Sequence, residues 1–153
     1  MLLELINTRG SKKKKMSYRH LEHSTDAIIE VTAPNLTTAF EVAGRSVVET
    51  IIEPSKIEEK TVKYLSVVGK DLRYLLYNWL EEVIILTITD GFAAKRISIK
   101  IESNHGYNIE AELFGEEIDI KKHGFKVEIK SPTFHEMEIR EGEQITLRYL
   151  LDL

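Results

Sequence analysis

The chain has 153 residues, 42% of them hydrophobic, so it can bury a core as one domain without cross-links. It contains no cysteine, which excludes disulfides, thiolate metal sites and a cysteine nucleophile. Its formal net charge of −4 argues against direct binding to long RNA or DNA, because such binding needs a positive field facing the phosphates.

The N-terminal segment carries four lysines, at positions 12–15, after a short apolar piece. A signal peptide has the opposite order, and the longest strongly apolar run, residues 83–88, is far shorter than the roughly 20 residues of a membrane span. We therefore expect a soluble cytoplasmic protein. Blocks of like charge usually stay solvated, so we predict a flexible lysine-rich extension over residues 1–16 and a single domain over residues 17–153. A nucleic-acid or partner arm is the alternative for the extension.

The first predicted elements are a strand and an amphipathic helix. Alternating apolar residues predict the strand, which Pro34 ends: Ala27, Ile29, Val31 and Ala33. Asn35 is a typical helix N-cap, and Pro54 forbids continuation of the helix predicted over residues 36–52. A second strand within residues 56–69 precedes a more apolar helix over residues 71–88, which Asp71 caps.

After residue 90 the apolar residues alternate in several short runs that are bounded by turn sequences such as "NHG", "KHG" and "EGE". These runs predict antiparallel strands, one of them over Phe125, Val127 and Ile129. Two helices followed by a meander of strands predict an α+β fold. We expect a two-layer sandwich, in which both helices pack on one face of a largely antiparallel β-sheet, with the first and last strands adjacent.

No common catalytic motif is present: the chain has no phosphate-binding glycine loop, no "HExxH" and no "GxSxG". The polar residues that remain as candidates lie near the two ends of the domain: His23, Asp26, Lys130, His135 and Asp152. If the first and last strands pair antiparallel, Asp26 and Asp152 face each other about 5 Å apart. Lys130 and His135 are predicted to flank a hairpin loop over residues 131–134.

Two close carboxylates repel unless a cation lies between them, and carboxylates with an imidazole suit calcium, magnesium or manganese better than zinc. The alternative is structural. Asp26 then caps a turn, the two histidines and Lys130 are ordinary surface or interior residues, and Asp152 is a solvated terminal charge.

Five segments, in order, resemble the archease family. "EHSTDA" resembles its "HTAD" element, and "LRYLLYNWLEEVIIL" resembles its "LLxxWLxEL" helix. "FGEEID" resembles its "GE" strand end, "VEIKSPTFHEMEI" its "IKAVTYHxMxI" segment, and the terminal "YLLDL" its closing "vvlDi". The resemblance covers residues 18–153, and Phe134 stands where the family segment has a tyrosine.

The resemblance implies an accessory protein of the GTP-dependent RNA-splicing ligase, which promotes guanylylation and repeated turnover of the ligase. It also implies a divalent cation held near Asp26 and Asp152, while His23, Lys130 and His135 match the polar motif positions. RNA is then contacted only through the ligase, and the protein performs no covalent chemistry itself.

Two other functions stay open from the residues alone. A free-standing metal-dependent hydrolase or phosphodiesterase uses the aspartate pair to activate water. A chaperone-like binding module uses an exposed sheet edge or apolar patch to hold several partners.

Overall fold

A computed structural model describes residues 3–7, 16–21 and 25–153 of the chain. The strands of this part are β1 (Leu3–Asn7), β2 (Met16–Leu21), β3 (Asp26–Ala33), β4 (Thr61–Gly69), β5 (Phe92–Ser103), β6 (Tyr107–Glu117), β7 (Ser131–Glu141) and β8 (Ile145–Asp152). The helices are α1 (Leu36–Ile51), α2 (Leu72–Ile84) and α3 (Ile120–His123). A 3-10 turn covers Pro54–Lys56, and a π-helical turn over Ile85–Thr89 extends α2.

The strands form two antiparallel sheets rather than one. The five-stranded sheet has the order β1-β2-β3-β8-β7, and the three-stranded sheet has the order β4-β6-β5. The α+β class is confirmed, as is the adjacency of β3 and β8, the first and last strands of the predicted domain. No helix in the described part of the chain has the length and apolar character needed to cross a membrane.

Both helices lie against both sheets. α1 contacts β5 of the smaller sheet and β2, β3 and β8 of the larger one, while α2 contacts β4, β6 and β7. Every residue of α1 is therefore buried or half-buried. Asn35 caps α1 by accepting a hydrogen bond from the Thr38 N–H at 2.8 Å, and Asp71 caps α2 in the same way, as predicted.

The two helices meet where Trp79 of α2 lies against Gly44 of α1. The indole Nε1 donates a hydrogen bond of 2.8 Å to the carbonyl oxygen of Phe40, one turn before Gly44. A Cβ atom on Gly44 would lie 2.8 Å from the Trp79 ring and 2.9 Å from Ile97 Cδ1. The missing side chain thus lets a fully buried tryptophan reach the backbone of its neighbouring helix.

The structure bears on two predictions for the chain outside the two long helices. The strand predicted over Phe125, Val127 and Ile129 is wrong, because residues 124–130 have no strand structure and the short helix α3 precedes them. β1 lies inside the predicted extension and pairs with β2, which runs from Met16 into the predicted domain, whereas the lysine run lies outside the described residues. The boundary between extension and domain stays a prediction.

A buried ionic cluster fixes α3 to the end of β6. The Glu116 carboxylate, only 7% exposed, accepts hydrogen bonds from the Glu58 N–H at 2.8 Å and from Lys122 Nζ. It also contacts Nε2 of the buried His123 at 3.0 Å. His123 Nδ1 accepts a hydrogen bond from the Asp119 N–H, so the ring proton is on Nε2. Nε2 therefore donates a hydrogen bond to the Glu116 carboxylate. This cluster sets the path of the chain toward β7.

Substitution of Gly44 by alanine tests the contact between the helices. Alanine favours a helix by about 1 kcal/mol over glycine, but the new methyl group overlaps Trp79 and Ile97, and such overpacking costs about 1–3 kcal/mol. We expect Gly44→Ala to lower the free energy of unfolding, measured by urea titration. Gly142→Ala is the matched control, since its Cβ meets only the Gln144 carbonyl at 3.8 Å. Equal stability of both variants would contradict the close contact.

Acid unfolding tests the Glu116 cluster. The hydrogen bond from Lys122 and then the Glu58 N–H hold the pKa of the Glu116 carboxyl well below its usual 4.5. The Glu116 carboxyl therefore binds a proton more readily in the unfolded chain than in the folded one. The stability that the ionised carboxylate contributes is complete above pH 4.5 and is lost as the pH falls below that value. We expect wild-type stability to fall more steeply below about pH 5 than that of Glu116→Gln, in urea titrations from pH 7 to 3. The neighbouring exposed change Glu117→Gln should leave the wild-type slope unchanged.

Candidate cation-binding site

Two aspartates face each other at one end of the five-stranded sheet. Asp26 of β3 is the register partner of Asp152 of β8, and Asp152 is also the register partner of Ser131 on β7. Directly opposite residues of antiparallel strands point to the same face, with Cβ atoms about 4.5–5.5 Å apart. The structure thus brings two carboxylates and a hydroxyl into one row across three strands, which we name the aspartate row.

The aspartate row lies on the face of the sheet that points away from the helices. Along β3, residues 27, 29, 31 and 33 belong to the core, so the alternate residues, including Asp26, take the opposite face. Asp26 is half-buried and Asp152 is exposed. The Lys130 N–H donates a hydrogen bond of 2.7 Å to the Asp152 carbonyl oxygen, which ties the start of β7 to the row.

Lys130 and His135 do not flank a hairpin loop, so that prediction is wrong. Lys130 directly precedes β7, and His135 lies within the same strand. β7 bulges here: Thr133 pairs with Leu150 and Glu138 with Arg148, so residues 134–137 stand opposite Tyr149 alone. The two residues are therefore separated along one strand and do not face each other across a turn.

The bulge presents its polar residues to solvent. The His135 side chain is 74% exposed, and its Nε2 lies 3.4 Å from the Glu136 carboxylate. Glu136 has a φ of 59°, and its carboxylate lies 3.8 Å from the guanidinium of Arg148 on β8. Arg148 lies four residues before Asp152 on β8, so this part of the bulge lies roughly 13 Å along the strands from the aspartate row. His135 therefore stands beside the row and not in it.

His23, the remaining sequence candidate, lies outside the described residues. In the described part of the chain, no group of three or more histidine, aspartate or glutamate side chains is close enough to hold a metal ion. The aspartate row supplies two carboxylates and the Ser131 hydroxyl, and oxygen donors of this kind fit calcium, magnesium or manganese. A hard cation at this place would complete its six to eight positions with water or with oxygens from a partner.

Sequence reasoning missed the charged residues that lie on the same face of the sheet as the row. Glu30 of β3 lies 3.2 Å from Arg19 and 4.0 Å from Arg140, and Arg148 lies between Glu136 and Glu138. These residues share the outer face of the sheet with the aspartates because they alternate with the core residues. Their alternation with core positions along β3 and β8 is the signal that predicts this placement.

Sequence reasoning also missed how the bulge is held. Arg73 of α2 donates hydrogen bonds to the carbonyl oxygens of Met137 at 2.8 Å and Phe134 at 3.4 Å. The spacing from Phe134 to Met137 is three residues, which breaks the period of two and is the sequence signal of the bulge. The first turn of α2 thereby sets the position of the segment that carries His135.

Comparisons with known proteins show which family the chain resembles. Residues 18–153 match the model of the "Archease protein family (MTH1598/TM1083)". The chain is 36% identical over 143 residues to Protein archease of Pyrobaculum islandicum, covering 92% of this chain and 97% of that protein. It is 35% identical over 125 residues to Protein archease of Pyrococcus abyssi, covering 81% and 88% respectively.

A solved structure shares the fold. The solution structure of Methanobacterium thermoautotrophicum protein 1598 superimposes with a TM-score of 0.73 at 27% sequence identity, covering 89% of this chain and 98% of that one. The family match extends over both halves of the aspartate row, from β3 to β8. The chain belongs to the archease family.

Proposed function

We propose that this protein is an accessory protein of the GTP-dependent RNA-splicing ligase, which binds a divalent cation and promotes guanylylation and repeated turnover of the ligase. Membership of the archease family supports the accessory role. The observation that supports the proposed cation site is the register of β3 and β8, in which Asp26 lies directly opposite Asp152. We propose Asp26 and Asp152 as the protein's ligands for calcium, magnesium or manganese.

The openness of the aspartate row supports a cation shared with a partner. Two carboxylates at strand ends leave most positions of a hard cation to other oxygens, and a nucleotide phosphate or a ligase carboxylate has the right chemistry. Lys130 directly precedes β7 next to the row, and its exposed side chain is available to such an anionic group. His23 and His135 are proposed as neighbours of the site without a ligand role.

Thermal unfolding with and without a cation tests the ligand assignment. A cation that binds only the folded protein stabilises it by about 2.7 kcal/mol at a hundredfold excess over Kd, which raises Tm by roughly 5–10 °C in a domain of this size. We expect millimolar calcium or manganese to raise Tm, and Asp26→Asn to abolish most of the rise. Asp90→Asn, a change of an exposed aspartate remote from β3 in sequence, is the control. An equal rise in all three proteins would place the cation elsewhere.

Single-turnover guanylylation of the purified ligase, with GTP and manganese, tests the activating role. The Lys130 N–H bonds to the main chain of Asp152, so Asp152→Ala keeps that bond and the fold. Loss of groups that merely orient a metal ligand already costs about 10–100-fold, so we expect stimulation to fall at least about tenfold when this ligand is removed. Glu112→Ala, an exposed change on the three-stranded sheet, should stimulate fully. Full stimulation by Asp152→Ala would exclude a cation-dependent mechanism.

Lys130→Ala separates contact with the partner from cation binding. The alanine removes the ammonium but keeps the backbone N–H that bonds to Asp152. We expect a normal cation-induced rise in Tm together with reduced stimulation of guanylylation. Loss of both would mean that Lys130 acts through the cation site itself.

A further inference from the structure

Three aromatic rings meet at the surface where α2 passes the edge strand β7. The Phe134 ring stacks on Tyr77, with centroids 4.5 Å apart and planes at 12°, and meets Tyr74 at 5.0 Å and 56°. Tyr74 is 40% exposed, and the other two rings are half-buried. We name these rings, together with Lys70 and Arg73, the aromatic patch.

The two cations of the aromatic patch interact with rings and carbonyls, and not with carboxylates. Lys70 Nζ lies 4.3 Å from the Tyr74 centroid, and the Arg73 guanidinium lies 5.8 Å from that of Phe134. Neither side chain makes an ion pair within the described part of the chain, although the protein carries a net charge of −4. The patch therefore offers two cations that are available to a carboxylate of a partner.

The surface next to the patch is concave and combines apolar with polar side chains. An open pocket of about 620 Å³ extends from Tyr74 to the β5–β6 turn, and its lining includes Tyr107, the strongly exposed Val68 and Glu110, whose carboxylate accepts a hydrogen bond from Ser66. Exposed tyrosine and arginine beside a pocket are typical of the residues that carry binding energy in protein interfaces. A protein segment with a carboxylate and an apolar side chain fits this surface.

RNA fits the patch less well. Single-stranded nucleic acids bind where free aromatic faces line a positive groove. Here Phe134 and Tyr77 stack on each other, and the Lys70 ammonium already lies over a face of Tyr74. The composition favours a protein partner.

We propose that the aromatic patch is a docking surface for a carboxylate-bearing segment of the ligase, separate from the cation site; this inference rests on the proposed function. The two surfaces lie on opposite faces of the five-stranded sheet, but both reach its edge strand β7, where Phe134 follows Ser131 of the aspartate row by three residues, roughly 10 Å along the strand. One partner surface of ordinary size covers both. The patch supplies affinity, while the aspartate row acts on the reaction.

The test measures the affinity of purified ligase for two matched double variants. Lys70→Glu with Tyr74→Ala changes the patch but leaves Arg73, which holds the bulge. Lys100→Glu with Tyr64→Ala makes the same chemical changes at exposed residues of the three-stranded sheet. We expect the patch variant to bind the ligase at least tenfold more weakly than wild type, the control variant to bind as wild type, and both to keep the cation-induced rise in Tm.

The outcomes separate the inference from the proposed function. If the two double variants bind the ligase equally well and still stimulate guanylylation, the docking surface is wrong and the proposed function stands. Loss of the cation-induced rise in the patch variant also overturns it, because the patch would then act through the cation site. Weaker binding of a single-stranded RNA 20-mer with unchanged ligase affinity overturns it in favour of RNA. Absence of any wild-type binding to the ligase overturns both the proposed function and the inference.

Discussion

The contact of Trp79 with Gly44 is the constraint on which the arrangement of layers depends. It lets α1 and α2 lie side by side at a distance that a side chain at position 44 would prevent. The hydrogen bond from the indole to the Phe40 carbonyl fixes the ring in a buried place where an unpaired N–H would be costly. With the helices joined in this way, each presents apolar residues to both sheets, so the two sheets share one core.

The same core decides which face the aspartates take. Ala27 and Leu151 are register partners on the inner face, one position from Asp26 and Asp152, and both are buried. A slip of one residue between β3 and β8 would drive these apolar side chains into solvent and the carboxylates into the core. The packing of hydrophobic residues therefore sets the geometry of a polar site that contributes little to the core itself.

The sequence predicted those parts of the molecule in which local signals and the core agree. Asn35, Asp71 and Pro34 mark element boundaries through backbone chemistry that no distant contact overrides, and the pairing of Asp26 with Asp152 follows once the terminal strands are adjacent. The division into two sheets was not predicted, because the alternation of apolar residues does not specify which strands pair.

The bulge and α3 were missed for a related reason. Phe134 faces α2 because Tyr77 and Arg73 contact it there, although the turn sequence around it predicted a hairpin loop. His123 ends a helix because a carboxylate from β6 accepts a hydrogen bond from its Nε2, and Phe125 then remains exposed although it is apolar. In both places partners distant in sequence decide the local conformation, and a periodic pattern contains no information about them.

An incomplete ligand set is consistent with the proposed role of the aspartate row. A cation enclosed by six or more protein oxygens has few positions left for a nucleotide, whereas two carboxylates at an exposed sheet end leave most of them open. Weak binding by the row alone then requires affinity from another surface, because a partner must be held while the cation is shared. Docking and cation sharing at one edge of the sheet are two linked contacts. Once the first has formed, the second becomes intramolecular, which raises the effective concentration of the partner group at the cation site. Phe134 of the aromatic patch lies three residues from Ser131 on β7, so a partner that covers this edge of the sheet can contact both surfaces without any movement of the fold.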